Sequence, residues 1–574
     1  MNDHAASVDC AASNSCASYH IDQLLIIIDG SISWSSNSPH IKTNSDFPET
    51  LATAWQQHGS NLVQWLKGSF SLLIIDNSQQ QIFAATDRFC SKAIYYQADR
   101  LTAEIASYPS MLSGKKPQTV SKLSAQSLYH YCYFHMIPAA ESIFLKINKL
   151  PAAHYFLWQS GNTVIAPYCI PSFNHSNKAS QQEQSATLRR LLKEAVRKSI
   201  GDCEHPGAFL SGGLDSSTVT GYMAELTDKG KAYSIGFDAE GYDEMAFART
   251  AANHFGVELK EYYVTPSDIV DALPRLAASA PEPFGNSSLI PAYYCAHMAK
   301  VDGVKTMLAG DGGDELFAGN ERYLRQQTFS RYLALPKSVR ALIDPLAQHL
   351  PEKPALLRKI RSYINQANTP LPDRLQTYNF LHHIPAGEMF EASFLTQVEQ
   401  QLPLIKLREI YWRPDNADEL QRMLYHDWQI TLADNDLRKV GLACEQANIN
   451  VCYPMLDSDL CEFSTGLSPS ILLAGGQLRA FYKSSLEGWL PKEILQKSKH
   501  GFGLPFGLWM RTHKPLQELV YNNIADLATR KVFQQGFLDN AVKLHREGHA
   551  AYYGELLWIL TSLEFWLKAH LNEQ

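Results

Sequence analysis

Residues 208–217 read Ala-Phe-Leu-Ser-Gly-Gly-Leu-Asp-Ser-Ser, and a segment with the composition of a helix follows them. Two glycines let a backbone turn tightly and approach an anion closely. The unpaired N–H groups at the start of a helix suit a phosphate. The carboxylate of Asp215 would repel phosphates unless a divalent cation lay between them. No Gly-Lys-Ser/Thr closes the loop, so it is not a Walker loop. The stretch predicts a strand, a phosphate-binding loop and a helix.

Strands alternate with helices around this loop. The apolar runs 208–210, 232–237 and 306–308 are typical of buried parallel strands, and helix-like segments separate them. This order predicts an α/β fold with a doubly wound parallel sheet, whose ligands bind at the carboxyl ends of the strands. From about residue 325 onward the pattern is mainly helical.

The beginning of the chain has a different pattern. Short apolar runs such as 26–28, 71–75 and 81–85 are bounded by turn residues, and two amphipathic helices are expected near 49–58 and 124–134. This pattern predicts an α+β domain of packed sheets over residues 1–170. Residues 171–185 are polar and predict a linker, which leaves residues 186–574 for the second domain.

The composition of the 574 residues limits the functional classes. The net charge of −7 argues against a broad nucleic-acid surface, so no nucleic-acid partner is expected. No apolar run approaches the ~20 residues that span a bilayer, and the first residues lack the pattern of a signal peptide. The ten cysteines contain no C-x-x-C pair, which argues against a zinc knuckle or a disulfide scaffold. We expect a cytoplasmic protein with no membrane partner.

Other segments carry weaker signals for the same chemistry. Residues 309–315 read Ala-Gly-Asp-Gly-Gly-Asp-Glu after an apolar run, and carboxylates beside substrate phosphates are ligands that magnesium prefers. Ile235, in a strand-like run, would contact an adenine ring. Residues 282–288 (Glu-Pro-Phe-Gly-Asn-Ser-Ser) would provide a helix cap. Residues 497–505 form a basic loop that would lie over a triphosphate or be a solvated turn.

Taken together and in order, the segments at 211–217, 282–288, 310–315 and 499–505 resemble those of the asparagine synthetase family, class B. The loop at 211–217 is also similar to that of ATP pyrophosphatases. The resemblance implies an N-terminal Ntn-hydrolase-like (glutaminase-type) sandwich. It also implies a C-terminal parallel sheet of the ATP pyrophosphatase (adenine nucleotide α-hydrolase-like) type with a helical C-terminal part.

The resemblance further implies substrates and residue roles. ATP and Mg²⁺ would bind, and a small-molecule or peptide carboxylate would be joined to ammonia or a substrate amine. The implied contacts are with adenine (Leu210, Ile235), pyrophosphate (Ser211, Gly212, Gly213, Asp215, Ser216, Ser217), ribose and α-phosphate (Ala309, Gly310) and magnesium (Asp215, Asp314). Asp311 stands where asparagine synthetases have an active-site glutamate and β-lactam synthetases have a tyrosine.

Some positions in the second domain depart from the family pattern. Arg479 stands at the position of the family's catalytic lysine, and arginine is a poor proton shuttle. Lys483 lies one helical turn further along the same face and could take part instead. Lys439 matches a family lysine. The candidates for catalysis are therefore Asp311, Lys439, Arg479 and Lys483.

The N-terminal domain departs from the family pattern at residues that serve one function, the hydrolysis of glutamine. Family glutaminases use an N-terminal cysteine as the nucleophile, whereas position 2 is Asn2 and both Cys10 and Cys16 are internal. The family strand that begins Asn-Gly-Glu reads Asp29-Gly30-Ser31, so the oxyanion donor and the glutamate are missing. We expect a degenerate glutaminase domain.

Three functions stay open on the sequence alone. The first is an AMP-forming, ATP-dependent amide ligase. The second is a genuine asparagine synthetase that uses external ammonia or a glutaminase supplied by a partner. The third is a non-catalytic scaffold or binding protein, against which the retained Asp215 and Asp314 argue. The sequence leaves open whether the protein is a homodimer.

Overall fold

The computed structural model describes residues 16–571 except 36, 40–45, 113–116, 118, 174–178, 349–354, 378 and 498–502. Asn2, Cys10 and part of the predicted basic loop therefore lie outside the described residues. Among the residues described, no helix is both long enough and apolar enough to cross a bilayer.

The described part of the N-terminal domain consists of strands and three α-helices. In chain order they are β1 (Cys16–Ile21), β2 (Leu24–Trp34), α1 (Phe47–His58), β3 (Leu66–Asp76), β4 (Gln81–Thr86), β5 (Tyr95–Ala98), β6 (Ala103–Ala106), α2 (Pro109–Leu112), α3 (Ala125–Phe134), β7 (Ala140–Glu141), β8 (Asn148–Lys149), β9 (His154–Gln159) and β10 (Asn162–Pro167). One antiparallel sheet has the order β1-β2-β3-β4-β9-β10, and a second has the order β6-β5-β8-β7.

The two sheets pack face to face, and α1 covers the other face of the larger sheet. Successive side chains of a strand point to opposite sides, so one strand contributes to both layers. Leu24 and Ile26 of β2 belong to the apolar cluster that includes α1. Phe156 of β9 packs against Tyr96 of β5, with ring centroids 5.0 Å apart. The structure thus confirms the packed sheets, and the two predicted helices correspond to α1 and α3.

The second domain is an α/β unit followed by helices. Its described elements are, in chain order, α4 (Gln181–Ile200), β11 (Gly207–Phe209), α5 (Leu214–Leu226), β12 (Lys231–Phe237), α6 (Met245–Phe255), β13 (Glu258–Val264), α7 (Pro266–Ser279), α8 (Leu289–Val301), β14 (Thr306–Leu308), α9 (Gly313–Phe317), α10 (Glu321–Leu333), α11 (Lys337–Gln348), α12 (Ala355–Asn368), α13 (Phe380–His383), α14 (Ala386–Met389), α15 (Ala392–Leu395), α16 (Leu402–Trp412), α17 (Glu419–Asp427), α18 (Leu437–Gln446), β15 (Asn450–Cys452), α19 (Ser458–Thr465), α20 (Pro469–Leu472), α21 (Ala480–Ser485), α22 (Lys492–Gln496), α23 (Phe506–Thr512), α24 (Lys514–Thr529), α25 (Gln535–Glu547) and α26 (Ala550–His570).

A parallel sheet with the order β13-β12-β11-β14-β15 forms the centre of this domain. The three predicted strands are its central members, β11, β12 and β14. The sequence did not predict β13, a partly exposed edge strand with three charged residues, or the three-residue β15. The predicted doubly wound parallel sheet is therefore present, and it has two more strands than the apolar runs indicate.

Helix α4 begins inside the segment that the composition predicts as a linker. Ser180 Oγ accepts a hydrogen bond from the Glu183 N–H (3.3 Å), and the Glu183 carboxylate accepts one from the Ser180 N–H (2.7 Å). This reciprocal pair is a capping box, which satisfies two donors at a helix start. The helix consequently begins at Gln181, ahead of residue 186.

Both glycine motifs leave the sheet at the same edge. Strands β11 and β14 pair in parallel, so the loops that follow them emerge side by side. The first loop leads to Leu214 of α5, and the second leads to Gly313 of α9. On the far side of the resulting space, a π-helical segment from Trp428 to Asp436 runs into α18. These elements position the candidate site.

Glu282 joins the two domains through a buried carboxylate. Its oxygens accept hydrogen bonds from the Tyr95 hydroxyl (3.0 Å), the Ile143 N–H (2.9 Å) and the Lys149 ammonium (3.0 Å). Burial lowers the pKa of Lys149, but the carboxylates of Glu282 and Asp434 outweigh burial and raise it above its usual value. Three groups of the first domain thus converge on one residue of the second, which fixes how the domains meet.

We expect Glu282→Ala to lower the free energy of unfolding by about 3–5 kcal/mol, because the buried Lys149 ammonium keeps only Asp434, at 3.7 Å, as a charge partner, and two further donors lose their acceptor. Denaturant unfolding followed by tryptophan fluorescence measures this loss.

Lys67→Ala is the matched control for that measurement. Lys67 pairs with Asp459 at 2.8 Å across the same domain boundary, but the Asp459 side chain is 41% exposed. An exposed pair contributes no more than about 1 kcal/mol. Equal losses for the two variants would contradict the anchoring role of Glu282.

Candidate functional site

The loop between β11 and α5 is folded by its own serines. Ser216 Oγ accepts a hydrogen bond from the Ser211 N–H at 3.2 Å and lies 3.1 Å from the Ser211 hydroxyl. Gly212 has φ of +66°, and a Cβ there would lie 2.4 Å from the backbone nitrogen of Ala248. Only glycine fits this position. The chain therefore turns sharply and begins α5 at the wall of a cavity.

The second glycine motif packs directly against the first turn of α5. A Cβ on Gly310 would lie 2.8 Å from the Ser216 backbone nitrogen, and one on Gly313 would lie 2.1 Å from Asp215 Oδ1. Side chains at these two positions would push the helix start away. The glycines thus allow the two strand-end loops to form one surface.

Arg479 bridges the two carboxylates that the sequence predicts as magnesium ligands. Its guanidinium donates to both oxygens of Asp215, at 2.5 Å for the Nη2–Oδ2 pair, and also to Asp314. Arg479 is only 5% exposed. Burial lowers the pKa of Arg479, but the two carboxylates outweigh burial and raise it. The bridge ties α5 and α9 to the start of α21.

The carboxylates of Asp215 and Asp314 have the donor type that Mg²⁺ prefers. Both are held by the Arg479 guanidinium, so an ion bound between them would displace this arginine from at least one of them. The described residues contain no group of three or more His, Cys, Asp or Glu side chains that could hold a metal ion. Mg²⁺ is commonly held by one or two carboxylates plus substrate phosphates. The pair therefore suits an ion that arrives with a phosphate ligand.

Lys439 lies between two further carboxylates of the cavity wall. Its ammonium is 3.5 Å from Asp311 Oδ1 and 3.2 Å from Asp436 Oδ1. Burial lowers the pKa of Lys439, but the carboxylates of Asp436 and Asp311 outweigh burial and raise it. Burial raises the pKa of Asp311, and Lys439 only partly opposes this. Lys439 is therefore a fixed positive charge at neutral pH and not a base.

Two other lysines of the cavity lose a proton more readily than an exposed lysine. Partial burial, together with the charge of Arg479, lowers the pKa of Lys483. Burial lowers the pKa of Lys497, although Glu244 at 3.0 Å opposes it. Lys497 also donates to the Ser211 carbonyl oxygen at 3.3 Å, which ties it to the loop. Lys483 is thus the better candidate for a base.

These groups line one cavity of about 690 Å³ at the carboxyl ends of the central strands. The predicted site residues in its wall are Leu210, Ser211, Gly213, Asp215, Ser216, Ile235, Gly310, Asp311, Asp314, Lys439, Arg479 and Lys483. Three predicted nucleotide contacts do not line it. Gly212 packs against α6, Ser217 is fully buried, and Ala309 donates its N–H to the Cys452 carbonyl. These three residues shape the layer beneath the cavity.

Some cavity residues were not predicted from the sequence. Glu244, Glu321, Asp436 and Gln477 lie in the wall. Asp436 precedes Lys439 by three residues, a helical spacing that could have identified the pair. Ser288 lines the cavity and is the N-cap residue of α8, but its side chain makes no capping hydrogen bond. The predicted capping role of Ser288 is therefore wrong.

A second cavity of about 350 Å³ lies between the two domains. Its wall includes Asp29 and Lys92 from the first domain and Arg438 from α18. The Asp29 carboxylate lies 3.5 Å from the Lys92 ammonium. Cys16 is the first residue of β1 and pairs in register with Asp29. The strand that departs from the glutaminase pattern thus faces the second domain.

Comparisons with known proteins match both halves of the chain. The profile of a family described as asparagine synthase matches residues 187–568, and that of a glutamine amidotransferase domain matches residues 33–169. Asparagine synthetase (glutamine-hydrolyzing) 1 of Bacillus subtilis is 23% identical over 93% of this chain and 82% of its own. A putative asparagine synthetase (glutamine-hydrolyzing) of Mycobacterium tuberculosis is 22% identical over 90% of this chain and 79% of its own. The structure of NMN synthetase from Francisella tularensis aligns with 36% of this chain and 94% of its own, at 16% identity and a TM-score of 0.20.

Proposed function

The chain belongs to the asparagine synthase family, and on this premise we propose that it is an ATP-dependent ligase that joins a carboxylate to ammonia or a substrate amine. One observation carries the proposal. A glycine loop at the start of α5, the converging carboxylates of Asp215 and Asp314, and the charged Lys439 all line one cavity. The same groups argue against a scaffold, because a scaffold does not need so many charges around an open space.

The proposed reaction has two steps. A carboxylate oxygen of the first substrate attacks the α-phosphorus of ATP, and pyrophosphate leaves with the electron pair of the broken P–O bond. The amine nitrogen then attacks the acyl carbon of the resulting acyl-adenylate, AMP leaves with the electrons of the C–O bond, and a base accepts the nitrogen's proton. The products are an amide, AMP and pyrophosphate.

The first step places negative charge on the departing pyrophosphate. N–H groups at the start of α5 favour an anion, and Lys497 adds a positive charge beside the same loop. Mg²⁺, when held by Asp215 and Asp314, would supply the positive charge that separates these carboxylates from the phosphates. Oriented donors of this kind are worth about 10²–10³ in rate each.

The second step divides charge and proton transfer between two residues. Arg479 keeps its proton at every accessible pH, so it can stabilise a negative oxygen but cannot accept a proton. Lys483 follows it by one helical turn in α21, and its pKa is lowered by partial burial and by the charge of Arg479. Lys483 would therefore accept the proton that the attacking nitrogen releases.

The amine would come from solution and not from glutamine hydrolysis within this chain. Asp29 stands where the resemblance calls for an asparagine that donates to an oxyanion. An ionised carboxylate only accepts hydrogen bonds, and it repels a developing negative oxygen. The Lys92 ammonium lies 3.5 Å from the Asp29 carboxylate. This supports a glutaminase-like domain without glutaminase activity.

ATP–pyrophosphate exchange, measured across a panel of amino acids, sugar acids and peptide acids, tests the first step. We expect exchange with at least one carboxylate and a fall of about 100-fold or more in Asp215→Asn, because an acid that faces the phosphates is lost. Asp302→Asn is the control, since Asp302 lies near the start of β12 at the other end of the sheet. Exchange with aspartate would identify asparagine synthesis. Unchanged exchange in folded Asp215→Asn, or silence of the wild type even with amine present, would overturn the proposal.

A pH profile tests the role of Lys483. With hydroxylamine as a weakly basic amine, we expect the rate of hydroxamate formation to rise with pH, as Lys483 loses its proton, and to level off above a pKa lower than that of an exposed lysine. Lys483→Gln should lose this rise and about 10²–10³ in rate, with exchange little changed. Lys483→Arg keeps the charge and should fail equally. A wild-type profile in Lys483→Gln would exclude Lys483 as the base.

Glutamate release from glutamine tests the last part of the proposal. The purified protein should form amide with ammonium ions and release no glutamate from glutamine beyond the uncatalysed background, because Asp29 cannot donate to the oxyanion. Asp29→Asn should release no glutamate either, because it restores one amide donor but not the cysteine nucleophile that the resemblance calls for. Glutamate release by the wild type at the rate of amide formation would show that the glutaminase is active.

A further inference from the structure

Helices α11 and α12 carry an exposed row of apolar side chains. Leu342 and Leu346 are 72% exposed, and Leu356 is 67% exposed. Positions 339, 342 and 346 of α11 repeat with the spacing of one helix face, and Leu335 lies just before this helix. We call the whole row the apolar stripe; its members are Leu335, Val339, Leu342, Leu346, Leu356 and Ile360.

The stripe is distinct from the apolar face that these helices bury. Ala347 of α11 and Ile364 of α12 pack with Phe329 and Tyr332 of α10 in a small core of their own. The Tyr363 hydroxyl also donates to the Thr328 carbonyl oxygen at 2.6 Å. The fold thus uses one face of each helix, and the stripe lies on the other, uncovered by any described residue.

Positive charge accompanies the stripe. Among the described residues of 335–361, a single acid, Asp344, accepts hydrogen bonds from Tyr332 and Asn368. The basic residues of the same stretch are Lys337, Arg340, Arg358, Lys359 and Arg361. The chain as a whole carries a net charge of −7, so this surface has the opposite sign to the rest of the protein.

Leucines flanked by lysine and arginine are the composition of helices that lie in the interface of a bilayer. Anionic headgroups attract such basic side chains, while the leucines enter the acyl boundary. A second copy that docked through the same stripe would bring like charges together. We propose that the apolar stripe and its basic residues dock this protein on the surface of an anionic phospholipid membrane.

The docking surface lies close to the candidate site. Leu324 in the first turn of α10 lines the 690 Å³ cavity, and Tyr332 near the end of the same helix holds α11 and α12. Eight helical residues span about 12 Å. Docking would therefore place the cavity near the membrane surface. The expectation of no membrane partner rested on the lack of a spanning segment, which a helix lying on the surface does not need.

Co-sedimentation of the full chain with vesicles tests the proposal. We expect binding to vesicles of equal parts phosphatidylglycerol and phosphatidylcholine, weaker binding at high salt, and little binding to pure phosphatidylcholine. Leu342→Ser/Leu346→Ser and, separately, Arg358→Gln/Lys359→Gln should each weaken binding by about tenfold or more, because each removes one half of the interaction.

The control is Leu101→Ser/Val301→Ser, which removes equally exposed apolar side chains (73% each) from outside the stripe. It should bind vesicles like the wild type. Thermal melting checks that every variant is folded, since these side chains pack little. No wild-type binding to the anionic vesicles, equal binding to both vesicle types, or full binding by the Leu342/Leu346 variant would overturn the proposal. So would a wild-type dimer that the Leu342/Leu346 variant alone dissociates, since the stripe would then dock a second copy.

Discussion

The contact of Arg479 with Asp215 and Asp314 is the interaction on which the rest of the site depends. The two acids lie in the first turns of α5 and α9, where the helix dipole favours a negative charge, but two carboxylates this close repel each other. Buried charges without a partner are unfavourable. Arg479 supplies the cation, and because it directly precedes α21, it holds the C-terminal helices over both strand-end loops.

Compared with the lysine that the resemblance calls for at position 479, Arg479 affects the proton chemistry of the site more than its shape. A lysine there would supply one compact charge, whose pKa the two nearby carboxylates would raise. A guanidinium keeps its proton and forms several directed hydrogen bonds at once. Partial burial lowers the pKa of Lys483, which lines the same cavity, and the constant charge of Arg479 lowers it further. Lys483 is therefore better suited than Arg479 to accept a proton. For this reason an arginine at position 479 is compatible with the proposed two-step ligase.

The central strands and the phosphate loop could be predicted because each depends on local sequence. A continuous apolar run predicts β12, and paired glycines before Asp215 predict the turn into α5. The edge strand β13 was not predicted because its charged residues, Glu258, Lys260 and Glu261, interrupt the apolar run that identifies a buried strand. Glu282 was taken as part of a helix-cap segment, since nothing local shows that Tyr95, Ile143 and Lys149 will meet it. The local sequence pattern does not show which distant segments will contact each other.

Those long-range contacts also explain how the N-terminal domain could stay in the fold without glutaminase activity, as we propose. The Tyr131 hydroxyl of α3 donates to the Ile559 carbonyl oxygen in α26 at 2.7 Å, and α3 belongs to the same apolar core as the parallel sheet. Removing the N-terminal domain would expose this core and leave the Glu282 carboxylate without its three donors. Buried polar groups that lose their partners destabilise a protein by several kcal/mol. Asp29, by contrast, lines an open cavity and not a packed core, so a change at this position would not leave buried groups without partners. Chemistry can therefore be lost from this domain while the domain itself is retained.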